Sequence, residues 1–104
     1  MKVFTMHKLR KGAKIEDYIK WSREVDQPKS NKQPEVLKFE VYVIRGAVES
    51  DDIEPAYDIM EVVEVSSIAA IRKVEDRLRD FLDNEWIRDW VEESTLVNVY
   101  AEKI

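Results

Sequence analysis

There is no cysteine among the 104 residues. No disulfide can hold this fold, and no thiolate can serve as nucleophile or metal ligand. Glycine occurs twice and proline three times, which argues against disorder and low complexity. The two glycines, Gly12 and Gly46, form no phosphate-cradling motif, and no serine sits in a nucleophile-elbow pattern. There is one histidine, too few with no cysteine for a zinc or copper site within one chain. The acidic run Glu49, Asp51, Asp52, Glu54 lacks the spacing and the glycine of a calcium loop. No stretch approaches the roughly 20 apolar residues of a membrane span. Met1 to Thr5 reads directly into a strand, without the ~7–15-residue apolar core of a signal peptide. The expectation is a cytoplasmic protein with no metal, no cofactor and no membrane contact.

What is present is a balanced globular composition. Apolar residues make up 44% and charged residues 38%, with a net charge of −5. The basic residues are dispersed apart from Lys8, Arg10, Lys11 and Lys14, so the broad basic face that nucleic acid requires is missing. The length suits one domain, 1–104, with no linker and no internal repeat. A chain this short builds a core but no large internal cavity besides. A ligand site must lie on a sheet face or be completed by a second copy.

Hydrophobic periodicity predicts the order strand–helix–strand–strand–helix–strand. Residues 2–10 alternate as a strand, with Val3, Thr5, His7 and Leu9 on one side and Phe4, Met6 and Lys8 on the other. Lys14 to about Val25 reads as a helix with Ile15, Tyr18, Ile19, Ser22 and Val25 on one stripe. Pro28 and Pro34 bracket an expected loop, Lys29 to Gln33. Residues 36–45 and 56–65 form two more strands. Ser66 or Ser67 caps a second helix carrying Ile68, Ile71, Val74, Leu78, Phe81 and Leu82. Its phase shifts around Asn84, and Trp86, Ile87, Trp90 and Val91 make a further amphipathic turn. Residues 95–101 close the chain as a fourth strand.

This order is that of an α+β, ferredoxin-like βαββαβ domain: a four-stranded antiparallel sheet, order 4-1-3-2, with helices on one face. The other face is expected to carry Val3, Leu9, Tyr42, Ile44, Met60, Val62, Leu96 and Tyr100. So many apolar side chains call for a cover. A second copy packed face to face supplies it, giving a homodimer with a barrel-like core; the alternative is a monomer with a helix folded over the sheet.

With this pattern the chain resembles the dimeric α+β barrel superfamily, and within it the RedY/HapK-like family. The resemblance spans nearly the whole chain. It is carried by Lys2–Val25, by Trp21-Ser22-Arg23-Glu24-Val25-Asp26-Gln27-Pro28, and by Tyr57-Asp58 through Ala70. EthD-like relatives often read Arg-Glu-Val-His-x-Pro at the end of the first helix; here Asp26 stands where they have histidine. The resemblance implies a role beside the biosynthetic enzymes of prodigiosin-type, pyrrole-based pigments, with one of those enzymes as a further partner.

The residues themselves offer several candidates. His7 is the natural general acid or base. On the open face its expected neighbours are Asp58, which would orient the ring, and Asn98, with Tyr42 one strand out as a donor and Tyr100 as a further ligand contact. This depends on the assumed register. The alternative is a buried histidine that only packs. Glu40, Glu61 and Glu64 are carboxylates within apolar strands and must be paired, hydrogen-bonded or neutral. Each can bind a ligand or act as a base, or simply pair with Lys38 or Arg45. Trp21 is placed to touch a flat ligand, whereas Trp86 and Trp90, at helical spacing, read first as core or interface anchors. Two functions remain open: a cofactor-independent enzyme acting on a flat, partly apolar biosynthetic intermediate, and a non-catalytic accessory protein that binds an intermediate or a partner enzyme.

Overall fold

Branched and aromatic residues fill the alternating segments, as pleated, half-buried surfaces favour. In the computed structural model, which describes residues 1–104, these segments form one antiparallel sheet of order β2-β3-β1-β4. Its strands are β1 (Lys2–Leu9), β2 (Val36–Val43), β3 (Ile59–Val65) and β4 (Val91–Ala101). Two helical segments, 15–31 and 68–90, lie across one face. This is the expected ferredoxin-like arrangement and strand order.

The register fixes which residues share a face. Val3 pairs with Val63 and Tyr100, Thr5 with Glu61 and Asn98, and His7 with Ile59. Phe39 pairs with Val63. All of these look toward the helices. Val3, Phe39, Val63 and Val65 pack against Ala70, Ile71 and Val74 of the second helix to form the main core. The opposite face carries Phe4, Met6, Tyr42, Met60, Val62, Val97 and Val99, with Lys2, Lys38, Glu40 and Glu64 around them. The grouping by alternation therefore holds for β1, but its assignment to a layer is reversed. Val3, His7, Asn98 and Tyr100 lie on the helix side, and Phe4 and Met6 on the open side. Both sets are apolar enough to face a packed layer, so composition alone does not separate them.

The chain turns from β1 into the first helix at Gly12, whose φ of +90° suits glycine. The Ala13 N–H donates to the Arg10 carbonyl at 2.9 Å and closes the turn. The helix does not stop near Val25. It continues as a π-helical turn, Ser22–Asp26, and then as Gln27–Asn31. A proline ring clashes with the carbonyl four residues back in a regular helix. The wider π turn just before Pro28 accommodates it, and the expected loop begins only at Lys32.

The second helix starts as expected: the Ser67 hydroxyl accepts the Ala70 N–H at 3.1 Å. It leaves helical geometry briefly at Leu78 and contains a second π turn, Leu82–Ile87. The phase shift at Asn84 is the trace of that turn. Helical geometry then persists to Trp90, and β4 begins at Val91, earlier than expected. A register shift between Met6 and Lys8 marks a bulge in the β1–β4 ladder. The two helices are joined by aromatic rings: Trp21 stacks on Phe81 at 5.8 Å and 12°, and Trp90 touches both Trp21 and Tyr18 at 5.5 Å.

Candidate functional site

Thr5, Glu61 and Asn98 project from neighbouring strands into the gap between sheet and helices. The Thr5 hydroxyl donates to Asn98 Oδ1 at 3.0 Å, and Asn98 Nδ2 donates to Glu75 at 3.3 Å. The two helices close over Thr5 and Glu61, with Asp26 and Ser30 on one side and Leu78, Leu82 and Trp86 on the other, and exposed Asn98 stands at the rim. The result is a cleft floored by Val3, Phe39 and Val63. About 80 Å³ of it is open to the centres of water-sized molecules, several times what one water needs.

Two carboxyl groups meet in this cleft. Glu61 is buried on β3, and the Tyr18 hydroxyl donates to its Oε1 at 3.3 Å. Asp26 is buried at the end of the first π turn, with its Oδ2 unpartnered. None of the protein's ion pairs includes either group. Burial without a counter-ion penalises the charged form. It lifts Asp26 to about 7, opposed by the Ser30 hydroxyl. Burial, then the neighbouring Asp26 charge, lifts Glu61 well above the usual carboxylate range, opposed by the Tyr18 hydroxyl. The two carboxyls are therefore electrostatically linked, and burial favours the protonated form of each. Tyr18 is itself pushed far up, first by burial and then by the charges of Glu61 and Asp26. The Trp86 indole N–H favours the ionised Tyr18 oxygen but completes no hydrogen bond to it.

His7 stands beside this cleft, not in its lining. Its ring is fully buried and meets Trp86 at 5.6 Å and Tyr18 at 6.2 Å, edge to face. Nδ1–H donates to the Lys8 carbonyl at 2.8 Å. A carbonyl only accepts, so this fixes the neutral tautomer and leaves Nε2 as a bare, unpartnered acceptor. Asp58 is near, but its Oδ2 accepts the Leu9 N–H at 2.8 Å instead of a ring proton. Burial holds the His7 pKa below its usual value of 6.5, partly offset by the Lys8 carbonyl and the Asp58 charge. The single imidazole is expected to reach half-protonation only below pH 6.5 in an NMR titration; a midpoint at or above that pH would contradict this environment.

The other sequence candidates are scattered. Tyr42, Glu40 and Glu64 lie on the open sheet face, away from His7. Glu40 is 3.6 Å from Lys38, the pairing weighed as its simpler role. β3 runs against β1 without a bulge, so Glu61 faces the helices and Glu64 the open face. Tyr100 is on the helix side but 56% exposed. Trp21 packs into the aromatic junction between helices. Only Asn98 of the ligand-contact candidates lines the cleft, together with Glu61 and Trp86.

Sequence reasoning did not place Asp26, Tyr18 or Thr5 in the site, although it put Tyr18 on the apolar helix stripe and Thr5 on the strand face of His7. A signal for Asp26 was available. Tyr18, Ser22 and Asp26 are four apart on the buried stripe, and an acid on such a stripe demands explanation. A regular helix divides the inward position between Val25 and Asp26; the π turn gives it to Asp26.

Comparison with known proteins agrees with this architecture. The family model described as REDY-like protein HapK matches residues 1–79. An EthD family protein from Bacillus halodurans superposes with a TM-score of 0.74 at 10% identity, covering 99% of this chain and 97% of that one. HapK from Hahella chejuensis gives a TM-score of 0.73 at 17% identity, covering 100% and 93%. A dimeric ferredoxin-like protein of unknown function from Bacteroides fragilis gives 0.67 at 14% identity, covering 98% and 94%. No curated protein matches the chain.

Proposed function

We propose, on the premise that the chain belongs to the REDY-like HapK family, that it is a homodimeric binding protein for a small, flat, partly apolar biosynthetic intermediate. The observation that carries this reading is the cleft between helices and sheet, where an apolar floor meets the two buried carboxyl groups of Asp26 and Glu61. The family resemblance supports a pyrrole-type ring as ligand and a setting beside pigment-forming enzymes. The apolar open face supports a second copy as its cover, as does the dimeric protein of the same fold. A dimer through that face leaves one cleft in each protomer.

The carboxyl pair suits cofactor-independent proton transfer. A protonated carboxyl gives its proton to a carbon or oxygen of the ligand, and the carboxylate formed takes a proton back from a second position. The Asp26 carboxyl, raised to about 7, lies near neutral pH, where a group gives up and takes back a proton readily. Oxidant and reductant are not needed. His7, kept neutral by burial with its tautomer set by the Lys8 carbonyl, contributes shape and a fixed lone pair to the wall behind Trp86 and Tyr18.

The same locked imidazole favours one alternative, a carrier that shelters the intermediate without changing it. One experiment separates the two. Pyrrole-2-carbaldehyde is titrated into the protein in D₂O while the Trp86 indole signal and ring C–H exchange are followed by NMR. Movement of the Trp86 signal with exchange faster than in Glu61→Gln supports proton transfer. Movement without faster exchange supports the carrier. No movement removes the binding reading.

A further inference from the structure

Two buried polar atoms in the cleft lack a partner: Asp26 Oδ2 and the Trp86 indole N–H. Their residues are 4% and 8% exposed and both line the cleft. They arise in the same way, each from the π turn of one helix, Ser22–Asp26 and Leu82–Ile87. Buried polar groups are nearly always satisfied, so each exception calls for a partner: a water, an ion or a ligand. The indole N–H is only a donor and needs an acceptor. Its neighbour Tyr18 gives its own proton to Glu61 at 3.3 Å and completes no bond with the indole. Asp26 Oδ2 accepts a donor in any protonation state that leaves its lone pairs free.

The charge of the lining narrows the ligand further. Asp26, Glu61 and Glu75 line the cleft, with no lysine, arginine or histidine among them. An anion supplies an acceptor for Trp86 but meets three carboxyl groups without a cation. An ammonium suits the carboxyl groups but leaves the indole N–H unmet. A neutral group with a carbonyl beside an N–H answers both.

Resting on the cleft reading above, we propose that the ligand is an uncharged planar molecule with a carbonyl acceptor and an N–H donor on one edge. The carbonyl accepts from Trp86 Nε1 and the N–H donates to Asp26 Oδ2. The chemical class is the amides, lactams and carbonyl-bearing N–H heterocycles, with their carboxylate analogues refused.

The test compares three probes that share one ring and differ in charge: pyrrole-2-carboxamide, pyrrole-2-carboxylate and 2-(aminomethyl)pyrrole. Binding to the intact protein is read from the Trp86 indole proton at pH 7. The amide is expected to bind at least tenfold more tightly than either charged analogue. In Trp86→Phe, which keeps an aromatic side chain and loses the donor, amide affinity is expected to fall about tenfold, read by ligand-observed NMR. Unsubstituted pyrrole should bind the variant as it binds the parent, which also shows that the variant's cleft is intact. In Asp26→Asn, which removes a charge, the carboxylate should gain several-fold relative to the amide. Equal or tighter binding of the carboxylate or the amine by the parent protein overturns this ligand class while leaving the cleft as a binding site. Failure of all three probes and of pyrrole itself counts against the cleft reading as well.

Discussion

Replacing Asp26 with asparagine is expected to make the protein more stable at pH 8 and no more stable at pH 4. A buried carboxyl lifted from 3.8 to about 7 binds its proton more tightly in the folded chain than in the unfolded one. Its favourable contribution is complete below the unfolded value and is lost as pH rises through the folded one. Each unit is worth about 1.4 kcal/mol, so the loss by pH 8 exceeds about 4 kcal/mol. Asparagine has no charge to desolvate, but its amide must find partners in the cleft. A net gain of about 2–3 kcal/mol at pH 8 is therefore expected. The lowered His7 works in the opposite direction: its contribution is lost as pH falls below 6.5 toward the folded value. It is common to both proteins and cancels in their difference. Urea unfolding at pH 4, 6 and 8 measures this difference. A constant offset across the three pH values would show that Asp26 is not the titrating group described here.

The second large effect is expected on the opposite face. Phe4 sits on β1 between Val62 and Val99, with Met6 and Met60 adjoining. If two copies cover this face, Phe4→Asp places an unpaired carboxylate in an apolar seam, twice over by symmetry. Burial of an unpaired charge costs several kcal/mol. The dimer should weaken by at least about a thousandfold, since every 1.4 kcal/mol is tenfold. Sedimentation at micromolar concentration should show the parent at twice the 12.3 kDa chain mass and the variant at the chain mass. Lys38→Ala, at an exposed position of the same face beside Glu40, should leave the parent's mass unchanged. A monomeric parent would remove the homodimer from the proposed function and leave Phe4, Met60 and Val62 without an assigned cover. The cleft lies on the other side of the sheet, so probe binding in the Phe4→Asp variant should persist.

The sequence by itself determined the order of elements, the strand topology and which residues travel together. Val3, Thr5 and His7 alternate against Phe4 and Met6, Ile71 and Val74 share a stripe, and Ser67 caps where a hydroxyl can reach a free N–H. These are local matters of period and capping, and they are decided within one strand or one helical turn. The tertiary structure decided which way each set faces. Period two separates two faces of β1 but does not say which one the helices will cover, and both are apolar. It also decided the site. A π turn adds one residue to a helical turn and rotates everything beyond it, so Asp26 came inward where regular periodicity divided the position between Val25 and Asp26. Asp26 and Glu61 stand 35 positions apart in the chain, and neither sequence context raises a pKa. Their raised pKa values follow from burial together without a cation, a property of the packed helix–sheet interface and of no shorter piece of the chain.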